Sequence, residues 1–185
     1  MDKNIQLDNE IKKLLELVQQ LRKEDNEAFK EHIEQIRTSS DIQIIPFLVE
    51  LLAEERVDDE KKEAILTLIM DIKHHDAPKL LVQGIEKLKG TDQLQPYLSA
   101  LWQNSLSFAP YIDTFVDIAL TADYLTAYDA FTVIENSCSE ASDETLDAAI
   151  LKLKNGYAAE DESKKPMILE LIKVLEDIKA LPKEE

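Results

Sequence analysis

Three prolines recur at one spacing. When residues 41–72, 73–104 and 105–136 are written beneath one another without gaps, Pro46, Pro78 and Pro110 fall in a single column, 32 residues apart. Proline lacks the N–H that an interior helical position must donate, so it is tolerated in the first turn of a helix, and helix starts recurring at a fixed interval mark a repeat architecture. Neighbouring columns keep step. Leu48, Leu81 (displaced by one position) and Ile112 come near the start of each first helix, and Ile69, Leu101 and Val133 fall into register in each second helix. A helix pair with one apolar face can bury it only against its neighbours, so the chain is constrained to a stack.

The flanking segments extend this frame. Ile11, Leu14, Leu15, Val18 and Leu21 share one helical face, and Phe29, Ile33 and Ile36 another, separated by the polar break from Lys23 to Asn26. Residues 1–40 therefore read as an N-terminal capping pair, with Asp25 capping its second helix. A single continuous helix in a coiled coil is the competing reading, but its heptad places Asp25 at a core position. Residues 137–185 supply a fourth repeat and C-terminal cap, with Leu146, Ala149, Ile150 and Leu153 as one stripe and Ile168, Leu171, Ile172 and Leu175 as the other. Three Gly and six Pro in 185 residues leave few hairpin signals, and good helix formers dominate, which predicts an all-α single domain of about ten helices. Ser107 and Ser163 each stand three residues ahead of a proline and Asp76 two ahead, which predicts side-chain caps. Pro46 predicts either a kink or a helix start near Ile44, and Pro182 a stop after the last helix.

Ile45-Pro46-Phe47-Leu48-Val49-Glu50-Leu51-Leu52, the acidic turn at Asp58-Asp59, and then Lys61, Ala64, Leu66, Leu68 and Ile72 resemble a HEAT repeat. The match departs at Glu60, where the family has an apolar residue, and at Lys61, where it has Arg. Tetratricopeptide repeats have a similar period, but their aromatic and glycine signature is missing from the first helix. The resemblance implies a right-handed α-solenoid of antiparallel helix pairs that binds other proteins, its second helices lining the concave surface.

Chemistry is hard to find. Gly84, Gly90 and Gly156 are isolated, so there is no phosphate loop, and neither a nucleophile elbow nor a zinc-type Cys/His cluster exists. His74-His75-Asp76 suggests a metal only weakly, because adjacent helical positions point about 100° apart and further ligands are missing; a solvated inter-repeat turn is the expectation. The di-iron hydroxylases of HEAT-like build use paired His-Glu dipeptides, whereas this chain has only the reversed Glu31-His32. Cys138, with no local cation, reads as an inert thiol. No catalytic residue, cofactor or metal is expected. With 38 acidic and 21 basic residues and a net charge of −17, phosphate backbones and anionic lipid are repelled, so neither nucleic acid nor a membrane is an expected partner. One cysteine and a start, Met1-Asp2-Lys3-Asn4, without a following apolar run point to the cytoplasm.

One stretch stands out within the scaffold. Residues 90–151 contain no Lys or Arg, yet hold ten carboxylates and eight of the chain's eleven aromatic residues. In the repeat frame Asp71, Gln103 and Glu135 form a polar column, followed by Ile72, Asn104 and Asn136, a ladder able to hydrogen-bond an extended peptide or simply a solvated row. Trp102 shares a column with Met70 and Ile134, so it is either core or a half-exposed anchor. Tyr124 and Tyr128 lie at i, i+4 with Glu135 on or near the same face, and Tyr97 and Tyr111 flank the repeat junction. Together with Asp113, Asp117, Asp129 and Glu135 these tyrosines present aromatic rings and negative charge to Lys or Arg. The candidate protein-binding residues are Asp71, Trp102, Gln103, Asn104, Tyr124, Tyr128, Glu135 and Asn136. The leading expectation is a noncatalytic scaffold or adaptor binding a basic protein or peptide. A subunit or homodimer contact, and an unrecognised enzyme or small-molecule binder, are the alternatives.

Overall fold

A computed structural model describes the backbone of residues 2–39 and 41–181, with side chains from residue 11 onward; Pro182 and the stop expected of it lie outside the described residues, as does Met1. The described residues form ten α-helices and no strand: α1 (Asp2–Leu21), α2 (Asn26–Ser39), α3 (Ile45–Ala53), α4 (Asp59–Asp71), α5 (Ala77–Leu88), α6 (Leu94–Gln103), α7 (Ile112–Thr121), α8 (Tyr124–Ser137), α9 (Asp143–Tyr157) and α10 (Lys165–Ala180). None is long and apolar enough to cross a membrane. The chain divides into two compact units, Met1–Gln93 with α1 to α5 and Leu94–Glu185 with α6 to α10.

In the first unit α2 packs on α4, and α3 on both α4 and α5. The break after Leu21 separates two helices, and Asp25 caps the second by accepting Ala28 N–H at 3.0 Å. A 3₁₀ turn, Ile42–Ile44, precedes α3, so Pro46 falls in the first helical turn, where its missing N–H leaves no gap. Asp58 caps α4 through Lys61 N–H at 3.1 Å. Val18 and Leu21 are buried, but Ile11 and Leu15 of the same predicted stripe are exposed.

Lys12, Lys13, Arg22, Lys164, Lys165 and Lys173 share the ends of the chain with many Glu and read from the sequence as solvated cap surface, but Arg22 is not solvated. It is half-buried and binds Glu54, its Nε donating at 2.9 Å. Burial alone would raise the Glu54 carboxyl, but the hydrogen bonds from Arg22 and Arg56 outweigh it and hold it below the usual carboxylate range. Lys61 donates to the Glu24 carbonyl at 2.6 Å and sits 5.5 Å from the centre of the Phe29 ring, tying α4 back to the start of α2.

In the second unit α8 packs on α6, α7 and α10, while α9 packs on α7 and α10. All eight apolar positions predicted for the fourth repeat are buried. The serine caps form differently. Ser107 accepts only Ala109 N–H, at 3.4 Å, because a 3₁₀ turn, Ala109–Tyr111, delays the start of α7. Ser163 stands one residue too early, since Lys164 occupies the cap position of α10 with no side-chain cap bond. Asp76 does occupy the cap position of α5, but its side chain makes no cap bond either.

Lys164 overturns a second expectation. Instead of a solvated surface it has a buried site, with Nζ donating to the Leu120 and Ala122 carbonyls at 3.0 Å each and pairing with Glu160 at 2.8 Å. These carbonyls close the C-terminus of α7, where the helix dipole favours a cation. Gly156 permits the same approach, since a Cβ there would lie 2.7 Å from a Leu120 methyl. Replacing Lys164 by Met keeps the stem but strands Glu160 and two carbonyls. We expect Lys164→Met to destabilise the second unit by about 3 kcal/mol. Urea unfolding followed by Trp102 fluorescence measures this, with the exposed Lys154→Met as the control that leaves the midpoint in place.

Candidate functional site

Helix α8 carries the surface to which the aromatic signal pointed. Asp123 fixes where it starts, accepting Leu125 N–H at 3.1 Å, Thr126 N–H at 3.2 Å and the Thr126 hydroxyl at 2.7 Å. With the start fixed, the 3.6-residue turn decides which side chains face outward. Thr126, Ala127, Ala130, Val133 and Ile134 are buried, whereas Tyr124 is 46% exposed, Leu125 65% and Tyr128 51%. The Tyr128 ring stacks parallel to that of Phe131 with 6.1 Å between centres, which restrains it while one face stays wet. Glu135, seven residues beyond Tyr128, is exposed and has no ion-pair partner among the described residues.

Beneath this surface lies a polar seam between α6 and α8. Asp129 is buried and accepts Trp102 Nε1–H at 2.9 Å on one oxygen and Gln95 Nε2–H at 2.6 Å on the other. Farther along, Asn136 Nδ2 donates to the Trp102 carbonyl at 3.1 Å. Trp102 is therefore half-buried, with its N–H already engaged, and acts as a strut beside the surface.

The remaining predicted residues are dispersed. Gln103 is exposed but turns back to Ser99, donating to its carbonyl at 3.1 Å. Asn104 is buried and accepts Leu106 N–H at 2.9 Å, which removes it from any surface ladder. Asp71 belongs to the first unit and pairs with Arg37. Tyr97 is wholly buried, and burial pushes its phenol far above the ordinary value. Asp113 and Asp117 together clamp Lys152, at 2.8 and 2.7 Å. Burial lowers the Lys152 ammonium, but its bonds to the two carboxylates more than reverse this. A cation from just outside the Lys-free stretch thus neutralises part of it. Of the four carboxylates proposed to accompany the tyrosines, Glu135 alone remains exposed and without an ion pair among the described residues.

Sequence reasoning missed Leu125, Gln95 and the buried role of Asp129. The capping residue type of Asp123 signalled only where α8 starts; the turn of position 129 toward α6 rests on partners 27 and 34 positions away, which no local signal marked. Elsewhere, His74, His75 and Asp76 bring one ligand atom each within 4.8 Å in a mostly exposed turn, where His74 Nδ1 accepts Asp76 N–H at 3.2 Å. Cys138 is buried, its Sγ donates to the Glu135 carbonyl at 3.2 Å, and burial raises its thiol pKa, which suppresses thiolate. No protein-family model matches the chain, and no curated protein matches it either.

Two outcomes follow from the seam and the cap. Asp129→Ala strands two half-buried donors and should cost about 2 kcal/mol, with Asp129→Asn intermediate because one acceptor survives; Trp102 emission in urea titrations reads both. The Thr126 hydroxyl and N–H bonds hold the Asp123 carboxyl below its usual value, so its contribution is fully present above the unfolded pKa and fades as pH falls through the lower folded one. Amide exchange at Leu125 and Thr126 should therefore lose protection below about pH 4. In Asp123→Asn that pH step should be absent.

Proposed function

We propose that the chain is a noncatalytic protein-interaction scaffold of HEAT-like solenoid build, and that the exposed face of α8 binds a basic protein or peptide segment. The observation that carries this reading is the row of Tyr124, Leu125 and Tyr128, all about half or more exposed, on a helix with no cation and with Glu135 unpaired among the described residues. Aromatic and aliphatic area supplies the desolvated contact, while Glu135 and the net negative charge select Lys or Arg and speed encounter. The buried Asp129 bonds support the reading from below. They hold α6 and α8 together, so the tyrosines are presented with little ordering cost. Solenoid build is supported within each unit by helices packing on those two places along the chain: α2 on α4, α3 on α5, α6 on α8, and α7 on α9.

The test is binding of arginine- and lysine-rich peptides to the whole chain, read by fluorescence anisotropy at low and high salt. Affinity should fall as salt rises, and Tyr128→Ala or Glu135→Lys should each weaken it by about tenfold while leaving the thermal midpoint in place. Peptides that bind Tyr124→Ala/Tyr128→Ala/Glu135→Lys as tightly as wild type would remove α8 as the site.

A further inference from the structure

The first unit contains a charged group with nothing to hold. Lys62 on α4 is only 9% exposed, and its ammonium has no hydrogen-bond or ion-pair partner among the described residues. No wholly occluded side-chain nitrogen goes unbonded, so this ammonium retains contact with open space. Lys62 also lines a cavity of about 670 Å³ between the start of α4 and the loop after α5. The volume falls within the range of small-molecule sites.

The rest of the wall carries the opposite sign. Glu55 and Asp59 are exposed and have no ion-pair partner among the described residues, and Asp92 binds only the neighbouring Gln93 amide, at 3.1 Å. Asp58 also lines the cavity, but one of its oxygens is used by the cap of α4. Asp59 precedes Lys62 by three positions, close enough for side chains to meet on a helix, yet no ion pair joins them. Leu52 and Val57 provide an apolar floor.

Each simple ion fails on one side of this cavity. A bare anion gains Lys62 but faces four carboxylates, and a bare cation gains the carboxylates but faces the Lys62 ammonium. A ligand with both charges satisfies both halves. We propose that this cavity binds a small zwitterion, an amino acid or short peptide, with its carboxylate on Lys62 and its ammonium among Glu55, Asp59 and Asp92.

Triglycine is the probe, titrated into the ¹⁵N-labelled whole chain and followed by NMR at the Lys62, Gly90 and Thr91 amides, with acetate and ethylammonium titrated separately. The expected result is saturable movement of these amides with triglycine at millimolar concentration, weakened by about tenfold or more in Lys62→Met and in Glu55→Gln/Asp59→Asn. Absence of saturation, equal affinity in the variants, or acetate binding as tightly as triglycine overturns the proposal. Should Lys62→Met fail to fold, the ¹³C-dimethylated Lys62 signal of the otherwise wild-type chain replaces it. A signal that follows the triglycine curve supports the assignment, and one that stays in place overturns it.

Discussion

Within each unit every helix after the first must have its apolar stripe covered, by a chain neighbour or by the helix two places along. The pairings of α2 with α4, α3 with α5, α6 with α8 and α7 with α9, together with those of α7 with α8 and α9 with α10, meet this requirement, and Leu48, Ile69, Leu81, Leu101, Ile112 and Val133 are all buried. Such burial is non-directional and proportional to area. It brings the helices together without fixing how each is rotated or where it ends.

Directional groups supply that second level of order. Asp123 fixes the start of α8, Asp129 fixes its rotation against Trp102 and Gln95, and Lys164 closes the end of α7. All three are charged groups with their bonding capacity taken up by the fold, two of them buried. An unpaired buried charge is costly, so each of the two buried ones tolerates only arrangements in which its partners are present. The exposed tyrosines of α8 inherit their position from this network. Lys62 is the exception, a shielded side chain whose ammonium reaches open space without such partners.

Much of the scaffold was legible in the sequence because apolar spacing and proline position are local properties. The fourth-repeat stripes, the two-helix N-terminus, the Asp25 cap and the entry of α3 near Pro46 all follow from residues within one or two turns of each other. The serine caps were misread where a neighbouring 3₁₀ turn or a one-residue offset moved the helix start. Lys164 and Arg22 were read as solvated because long cations among Glu residues are ordinarily so, and their partners lie 44 and 32 positions away. Similarly, a row of polar residues sharing one repeat column looked like a ladder, yet Asn104 turned inward and Gln103 back along its own helix.

The chain by itself determined an all-helical build, the order of its helices and the concentration of rings and acids without cations in residues 90–151, since periodicity and composition need no partner. Only tertiary structure decided which of those rings meet water. Burial of Tyr97, half-burial of Trp102 and exposure of Tyr124 and Tyr128 depend on the rotation of α6 and α8 about their axes. That rotation is set by Asp129 reaching residues 27 and 34 positions distant, a pairing that local spacing does not encode.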